Sequence, residues 1–172
     1  MYKYETHLHT KEGSACSSAP AADMARAHKA AGYDGIFVTD HFFNANTAVP
    51  RDLPWEDRVD RYFLGYEHAK EVGDEIGLKV WFGCEFTVYN ADFLIYGMEK
   101  DWMKANEELL MHTDERVLFS KLRNELDCFI VHAHPFRHAS YIHHISLYPY
   151  DVDAVETCLL YTSPSPRDGL LS

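Results

Sequence analysis

The sequence has few cysteines, and none of them forms a pair with the spacing of a metal-binding knuckle. The four thiols lie far apart, at Cys16, Cys84, Cys128 and Cys158. Without C-x-x-C pairs, neither a zinc knuckle nor the disulfide framework of a small secreted protein is expected. We therefore expect reduced thiols in a cytoplasmic protein.

Long apolar runs and an excess of positive charge are also missing. No apolar run approaches the roughly 18 residues that a membrane-spanning helix requires. The chain opens with a polar strand rather than a signal peptide, so we expect no membrane association. The formal net charge of −11 leaves no polycationic face, which disfavours direct nucleic-acid binding. Bound divalent cations would reverse the local charge, so small anionic substrates stay compatible with this composition.

What the sequence does contain is an alternation of strand and helix patterns in a chain of 172 residues, the length of one domain. Strand patterns occur at 4–10, 35–41, 78–85, 92–98, 128–135 and 152–157, and helical patterns occur at 18–32, 55–77 and 115–126. Strands that alternate with helices indicate an α/β fold with parallel strands, either a barrel or a doubly wound sheet.

The last fifteen residues break this alternation. The segment "CLLYTSPSPRDGLLS", residues 158–172, is rich in serine and proline and has no periodicity. Its first part resembles the in-frame translation of a sequencing-library adaptor. We therefore expect a domain at 1–157 that is incomplete at its C-terminus, followed by a non-native or disordered tail at 158–172.

Polar side chains with metal-binding potential recur where the strand patterns end. They are His7 and His9, Asp40 and His41, Glu85, and His132 and His134, with Asp92 at the entry of the fourth strand. Active sites of parallel α/β folds are assembled at the carboxyl edge of the sheet. Five consecutive strands that deliver such residues to one edge therefore predict a functional site.

The residue types restrict the chemistry of this site. Histidines and carboxylates without paired thiolates suit zinc, manganese or iron. Glu85 has two oxygens and could bridge two ions, which at about 3.5–4 Å apart can bind a phosphate and activate a water. Arg137 follows the fifth strand, and its planar fork matches phosphate oxygens; an ordinary surface ion pair is the alternative.

Four ordered motifs give the chain a strong resemblance to the polymerase and histidinol phosphatase (PHP) family. They are "HLHT" (7–10), "TDH" (39–41), "GCE" (83–85) and "AHPFR" (133–137). The resemblance implies a distorted (β/α)7 barrel that holds two or three divalent metal ions. It also implies a phosphoesterase, because the family contains phosphatases of small phosphomonoesters and of nucleotide-type substrates.

The resemblance also implies roles for individual residues. His7 and His9 look like ligands of a first metal, and Glu85 looks like the carboxylate that bridges the first and second metals. His134 looks like a ligand of the second or neighbouring ion. Where many members carry a histidine before the fourth strand, this chain has Asp92, which can coordinate the same ions.

A third metal position is less complete. His41 looks like its ligand, with Asp40 as a neighbour that orients it. Many members carry a further histidine a few residues after the first motif, but "KEGSAC" at 11–16 leaves Glu12 or Cys16 as substitutes. The family's final Asp-x-His motif is absent. We therefore expect about six strands of the barrel and no turnover by the 172-residue chain alone.

Four further histidines receive weaker predictions. His132 is expected on the same side as His134, as a supporting residue, whereas His138, His143 and His144 are expected on the solvated surface.

The sequence as a whole favours metal-dependent hydrolysis of a phosphate ester, with Glu85, Asp40 and Arg137 acting in catalysis and a small phosphorylated molecule as substrate. A non-catalytic metal-binding module with a structural or regulatory role is the alternative. A hydrolase of carbon–nitrogen bonds is a third hypothesis, although no lysine stands where a carboxylated lysine ligand would be needed. The sequence assigns no oligomeric state.

Overall fold

A computed structural model describes residues 1–88, 91–112, 114–137 and 145–157. It contains a curled six-strand half-barrel whose strands lie in chain order. The strands are β1 (Tyr4–Leu8), β2 (Gly35–Val38), β3 (Lys79–Val88), β4 (Ala91–Tyr96), β5 (Phe129–Ala133) and β6 (Ala154–Val155). All six predicted strands are present, so the α/β class is confirmed.

Five helices connect these strands in the described residues. They are α1 (Ala21–Ala30), α2 (Trp55–Ile76), α3 (Lys100–Ala105), α4 (Glu107–His112) and α5 (Glu115–Leu126). The sequence predicts α1, α2 and α5 but not α3 and α4, which are too short to show an amphipathic period. The C-terminus of α2 is fixed by Gly77, whose φ of 69° is a left-handed conformation that glycine adopts without strain.

The prediction of a wholly parallel sheet is wrong at β4. β1, β2 and β3 are parallel to one another, and so are β5 and β6, but β4 runs antiparallel to both of its neighbours. Two residues separate β3 from β4, whereas a parallel crossover needs a dozen or more. The reversal places the first residues of β4 at the edge where the other strands end.

Alternation along β3 divides the core from the functional face. Cys84 and Phe86 are buried in an apolar cluster with side chains of α2 and α5, such as Tyr62 and Phe119. Because successive side chains of a strand point to opposite faces, Glu85 projects to the other face of the sheet. The apolar core thus fixes the direction of a single carboxylate.

Two remaining sequence predictions concern membrane spans and the C-terminal part of the chain. Within the described ranges, no helix combines the length and apolarity needed to cross a membrane. The expected tail at 158–172 and the expected surface residues His138, His143 and His144 lie outside the described residues. These expectations therefore stay predictions.

Candidate metal centre

Four histidines surround the carboxylate of Glu85 at the carboxyl edge of the sheet. Glu85 Oε1 lies 3.4 Å from His7 Nε2 and 3.0 Å from His134 Nε2, and Oε2 lies 3.3 Å from His9 Nε2 and 2.7 Å from His41 Nδ1. The imidazoles form two stacked pairs, with ring centroids 5.5 Å apart for His7 and His134 and 4.5 Å apart for His9 and His41. Each carboxylate oxygen therefore faces one pair of rings.

Several buried polar atoms of this cluster lack a hydrogen-bond partner. They are His7 Nε2, His41 Nδ1 and Glu85 Oε2. An unsatisfied buried polar atom is costly, so three of them in one cluster call for a ligand. The described residues that could hold a metal ion form the groups His7–His9–Glu85, Glu85–Asp92–His134, His7–His134–Glu156 and His9–Cys16–His41, with ligand atoms within 4.8 Å of one another in each. Imidazole and carboxylate donors at this spacing fit divalent ions.

Electrostatics in the metal-free cluster follow from the same contacts. Burial by itself would raise the pKa of Glu85, but the hydrogen bond from His134 and the close approach of the His41 and His7 rings outweigh it and hold that pKa well below its usual range. Burial lowers the pKa of His9 to about 3, so this ring is neutral and offers a free nitrogen. Glu85 is thus ionised and His9 unprotonated, as metal ligation requires.

Glu156 supports two of the histidines from the end of β6. Its Oε1 lies 3.3 Å from His7 Nδ1, and its Oε2 accepts a hydrogen bond of 2.8 Å from the backbone N–H of His134. A carboxylate at one ring nitrogen fixes the tautomer and leaves the other nitrogen for a metal. The sequence alone leaves Glu156, at the end of the sixth strand pattern, open between a residue that supports the site and an ordinary strand-end carboxylate, and its contacts with His7 and His134 favour the first.

Asp92 lies at the edge of the cluster because β4 is reversed. Its Oδ2 lies 3.8 Å from His134 Nδ1 and 3.6 Å from Arg137 Nη2, and its Oδ1 accepts a hydrogen bond of 2.7 Å from the Thr87 hydroxyl. The Arg137 side chain is 42% exposed. The structure therefore brings a guanidinium and the Asp92–His134–Glu85 group to the same part of the sheet edge.

Asp40 supports the site from beneath rather than facing it. Its buried carboxylate accepts hydrogen bonds from Thr10 N–H (2.6 Å), the Thr10 hydroxyl (2.6 Å) and the Ser14 hydroxyl (2.7 Å). Burial raises the pKa of Asp40 to about 6. These hydrogen bonds go to the loop after β1, whereas the sequence predicts an orienting contact with His41.

Ser14 transmits the position of Asp40 to two histidines. Since the Ser14 hydroxyl proton is donated to Asp40, the Ser14 oxygen is free to accept hydrogen bonds. It accepts one from the backbone N–H of His41 at 2.9 Å and faces the ring nitrogen His9 Nδ1 at 3.0 Å. His9 must then carry its proton on Nδ1, which leaves Nε2 toward Glu85. Sequence analysis missed Ser14, which lies in a loop without a strand or helix period.

His132 does not lie on the same side as His134, contrary to the sequence prediction. Its ring is buried in the core, stacked on Phe93 with centroids 5.2 Å apart and next to Tyr148. The alternation rule fails because His134 lies beyond the end of β5 with a φ of 28°, outside the extended region. That conformation turns His134 toward Glu85 and leaves His132 with the apolar face.

Comparisons with known proteins give a structural likeness at low sequence identity. No family model matches the sequence, and no curated protein matches it. The fold is similar to that of a two-domain protein from Bacteroides vulgatus that contains a predicted PHP-like metal-dependent phosphoesterase (TM-score 0.61, 15% identity, 86% of this chain and 39% of that one). It is also similar to a protein from Bifidobacterium adolescentis with a provisional assignment as a metal-dependent phosphoesterase (TM-score 0.53, 12% identity, 90% of this chain and 77% of that one).

These similarities confirm the predicted fold, a PHP-type barrel of which six strands are described. The chain spans 39% of the length of the Bacteroides protein. At such identities the likeness supports the fold alone, and the function has to be argued from the site.

Proposed function

We propose that residues 1–157 form a phosphoesterase domain that uses divalent metal ions to hydrolyse a small phosphorylated substrate. The observation that carries this proposal is the environment of Glu85, which is 1% exposed and has two imidazoles at each carboxylate oxygen. A buried carboxylate that presents both oxygens to separate groups of donors is suited to bridge two ions.

The ligand groups divide around this carboxylate. His7, His9 and Glu85 would hold a first ion, and Glu85, Asp92 and His134 would hold a second. Two such ions at about 3.5–4 Å bind phosphate oxygens and activate a water in metal-dependent phosphoesterases. Zinc, manganese and iron all suit these donors.

The protein's own residues would orient the substrate and the ligands. Arg137, at the rim beside Asp92, would neutralise charge on a phosphate through its planar guanidinium. Asp40, through Ser14, would hold His9 in one tautomer, which is a positioning role for the carboxylate. A small phosphomonoester fits these groups, because Arg137 offers one guanidinium beside the ligand Asp92 and the chain has a net charge of −11.

The substitution Glu85→Gln tests this proposal, because it keeps the shape of the side chain and removes the charge that two ions would share. We expect bound metal to fall, and turnover of p-nitrophenyl phosphate with added manganese or zinc to fall about 100-fold or more. Metal content is measured on the 172-residue chain. Turnover is measured on the 172-residue chain and, because that chain is expected to lack turnover alone, on a version extended through a seventh barrel strand.

Glu75→Gln provides a matched control, because Glu75 is an exposed residue of α2. It should change neither metal content nor turnover. Equal metal content and turnover in Glu85→Gln and the unchanged protein would remove Glu85 from the site. Full metal loading without turnover in the extended protein would contradict the enzymatic proposal and favour a non-catalytic metal-binding module.

A further inference from the structure

The structure distinguishes the two residues that the sequence offers as substitutes at the third metal position. Glu12 is engaged elsewhere, because its carboxylate accepts the Ala21 N–H at the start of α1 at 3.0 and 3.2 Å and lies 3.2 Å from His68 Nδ1. Cys16 instead lies on the side of the loop that faces the histidines. Its sulfur and one ring nitrogen each of His9 and His41 lie within 4.8 Å of one another.

The loop that carries Cys16 is anchored on both sides of the thiol. Ala15 N–H donates to the Asn46 carbonyl at 2.9 Å, and the Ser17 hydroxyl donates to the His9 carbonyl at 3.1 Å. These bonds fix the backbone immediately before and after Cys16. A ligand held by its neighbours loses less conformational entropy on binding than one on a free loop.

A second observation points to a cation at the same place. Glu85 Oε2 has no hydrogen-bond partner although Glu85 is 1% exposed, and it lies 2.7 Å from His41 Nδ1 and 3.3 Å from His9 Nε2. The rings of His9 and His41 are stacked with centroids 4.5 Å apart. A buried anionic oxygen directed at a nitrogen of each ring favours a cation at those ring nitrogens.

We propose that Cys16, His9 and His41 bind one divalent ion through a thiolate and two imidazoles, and that this position prefers zinc or iron(II) to manganese. The preference follows from the soft sulfur donor, since manganese favours oxygen ligands. Binding releases the thiol proton and one proton of the His41 ring to solvent, forms one sulfur–metal bond and two nitrogen–metal bonds, and changes no oxidation state. This inference deepens the proposed function and rests on it for the role of the ion.

An ion bound by Cys16 would compete with the first ion for His9. His9 belongs both to this group and to the group that it forms with His7 and Glu85. A ring nitrogen binds one ion at a time, and Ser14 occupies the other nitrogen of His9. When an ion at Cys16 binds the free nitrogen of His9, His9 is no longer available to the first ion, which would keep His7 and Glu85 as ligands.

Cobalt(II) is the probe for this site, because a thiolate–cobalt bond gives a charge-transfer absorption in the near ultraviolet that nitrogen and oxygen ligands do not give. Metal-free protein, the full 172-residue chain, is titrated with Co²⁺, and zinc and manganese are then tested as competitors. We expect the band at saturation, displacement by zinc, and no displacement by equimolar manganese.

Variants identify the thiol. Cys16→Ser should lose the band and weaken cobalt binding at this position at least about tenfold, the lower bound for loss of an outer-shell partner of a metal. Cys16→His should bind cobalt without the band, which separates loss of the thiolate from loss of the fold. Cys128→Ala, in the buried core away from the site, should keep the band.

Two outcomes would overturn the inference. Cobalt bound by the unchanged protein without the charge-transfer band would exclude a thiolate ligand, and a band retained by Cys16→Ser would place the thiolate elsewhere. The proposed function fails independently: a thiolate band that depends on Cys16, in an extended protein that hydrolyses no phosphate ester, supports this site while contradicting the phosphoesterase. Hydrolysis without the band would overturn the cysteine assignment alone.

Discussion

Replacing Glu156 with glutamine tests whether the site depends on a residue outside the two proposed ligand groups, His7–His9–Glu85 and Glu85–Asp92–His134. Glu156 receives two donors, the His7 ring at Oε1 (3.3 Å) and the backbone N–H of His134 at Oε2 (2.8 Å). A glutamine side chain has one acceptor oxygen and one NH₂ group of its own. Whichever way the amide is turned, its NH₂ group faces one of these donors, so either the His7 tautomer or the position of His134 is lost.

The expected magnitude follows from what such partners contribute in metal sites. Loss of a carboxylate that orients a metal-binding histidine typically weakens metal affinity by about 10–100-fold. This corresponds to about 1.4–2.7 kcal/mol of binding free energy. Glu156→Gln should fall in this range, and Glu156→Ala should fall at or beyond its upper end, because both donors then lose their acceptor.

Affinity is measured by competition between the protein and a fluorescent zinc chelator at fixed pH. Glu12→Gln is the matched control, since Glu12 also contacts a histidine and a backbone N–H but lies away from the metal-binding groups. We expect zinc affinity to be unchanged in this control. Wild-type affinity in both Glu156 variants, with the fold intact by circular dichroism, would refute the argument that Glu156 holds the ligands in place.

Two further predictions concern the packing and the protons of the site. Gly65→Ala should lower the free energy of unfolding, measured by urea denaturation, by about 1–3 kcal/mol. The reason is that the new Cβ would lie 2.7 Å from Asp40 Oδ2 and closer still to Thr10 Oγ1. An unchanged denaturation midpoint would show that helix α2 can move away from these atoms. Zinc added at pH 8 in weak buffer should release protons, because the His7 and His41 rings are both protonated in the metal-free protein. Burial by itself would lower the pKa of each ring, but Glu156 and Glu85 at His7, and Cys16 and Glu85 at His41, outweigh it and raise both pKa values to about 10. Apparent affinity should therefore rise from pH 7 to 10, and a flat profile would contradict the protonation of these rings.

The part of the site that follows strand alternation could be predicted from the sequence. His7 lies near the end of the first strand pattern, His41 and Glu85 come at the end of apolar runs, and the carboxyl ends of parallel strands meet at one edge. Their convergence in the structure depends only on strand direction and on the period of two. The same rules predict helix α2 correctly to its glycine stop.

The remaining features depend on contacts that are distant in sequence. The reversal of β4 does not follow from the alternation of strands and helices. Two residues connect β3 to β4, and a connection of this length is too short for a parallel crossover. His132 was misplaced because a single backbone angle at His134 breaks the strand period. Ser14 acquires its role through Asp40, 26 residues away, and no local pattern reports such a pairing.

The net negative charge of the chain is compatible with a site that binds a phosphate, because the two act over different distances. A net charge of −11 repels phosphate esters at long distance, but this repulsion is screened beyond about 10 Å at 0.1 M salt. Within the cluster, four imidazoles surround the Glu85 carboxylate, and Asp92 and Glu156 add two further carboxylates. The positive charge that attracts an anion would therefore come mainly from bound metal ions. An anion would therefore be attracted by the local charge of the ligands and their ions, with Arg137 at the rim. The acidic surface that disfavours a nucleic-acid backbone is thus compatible with a site for a single phosphate group.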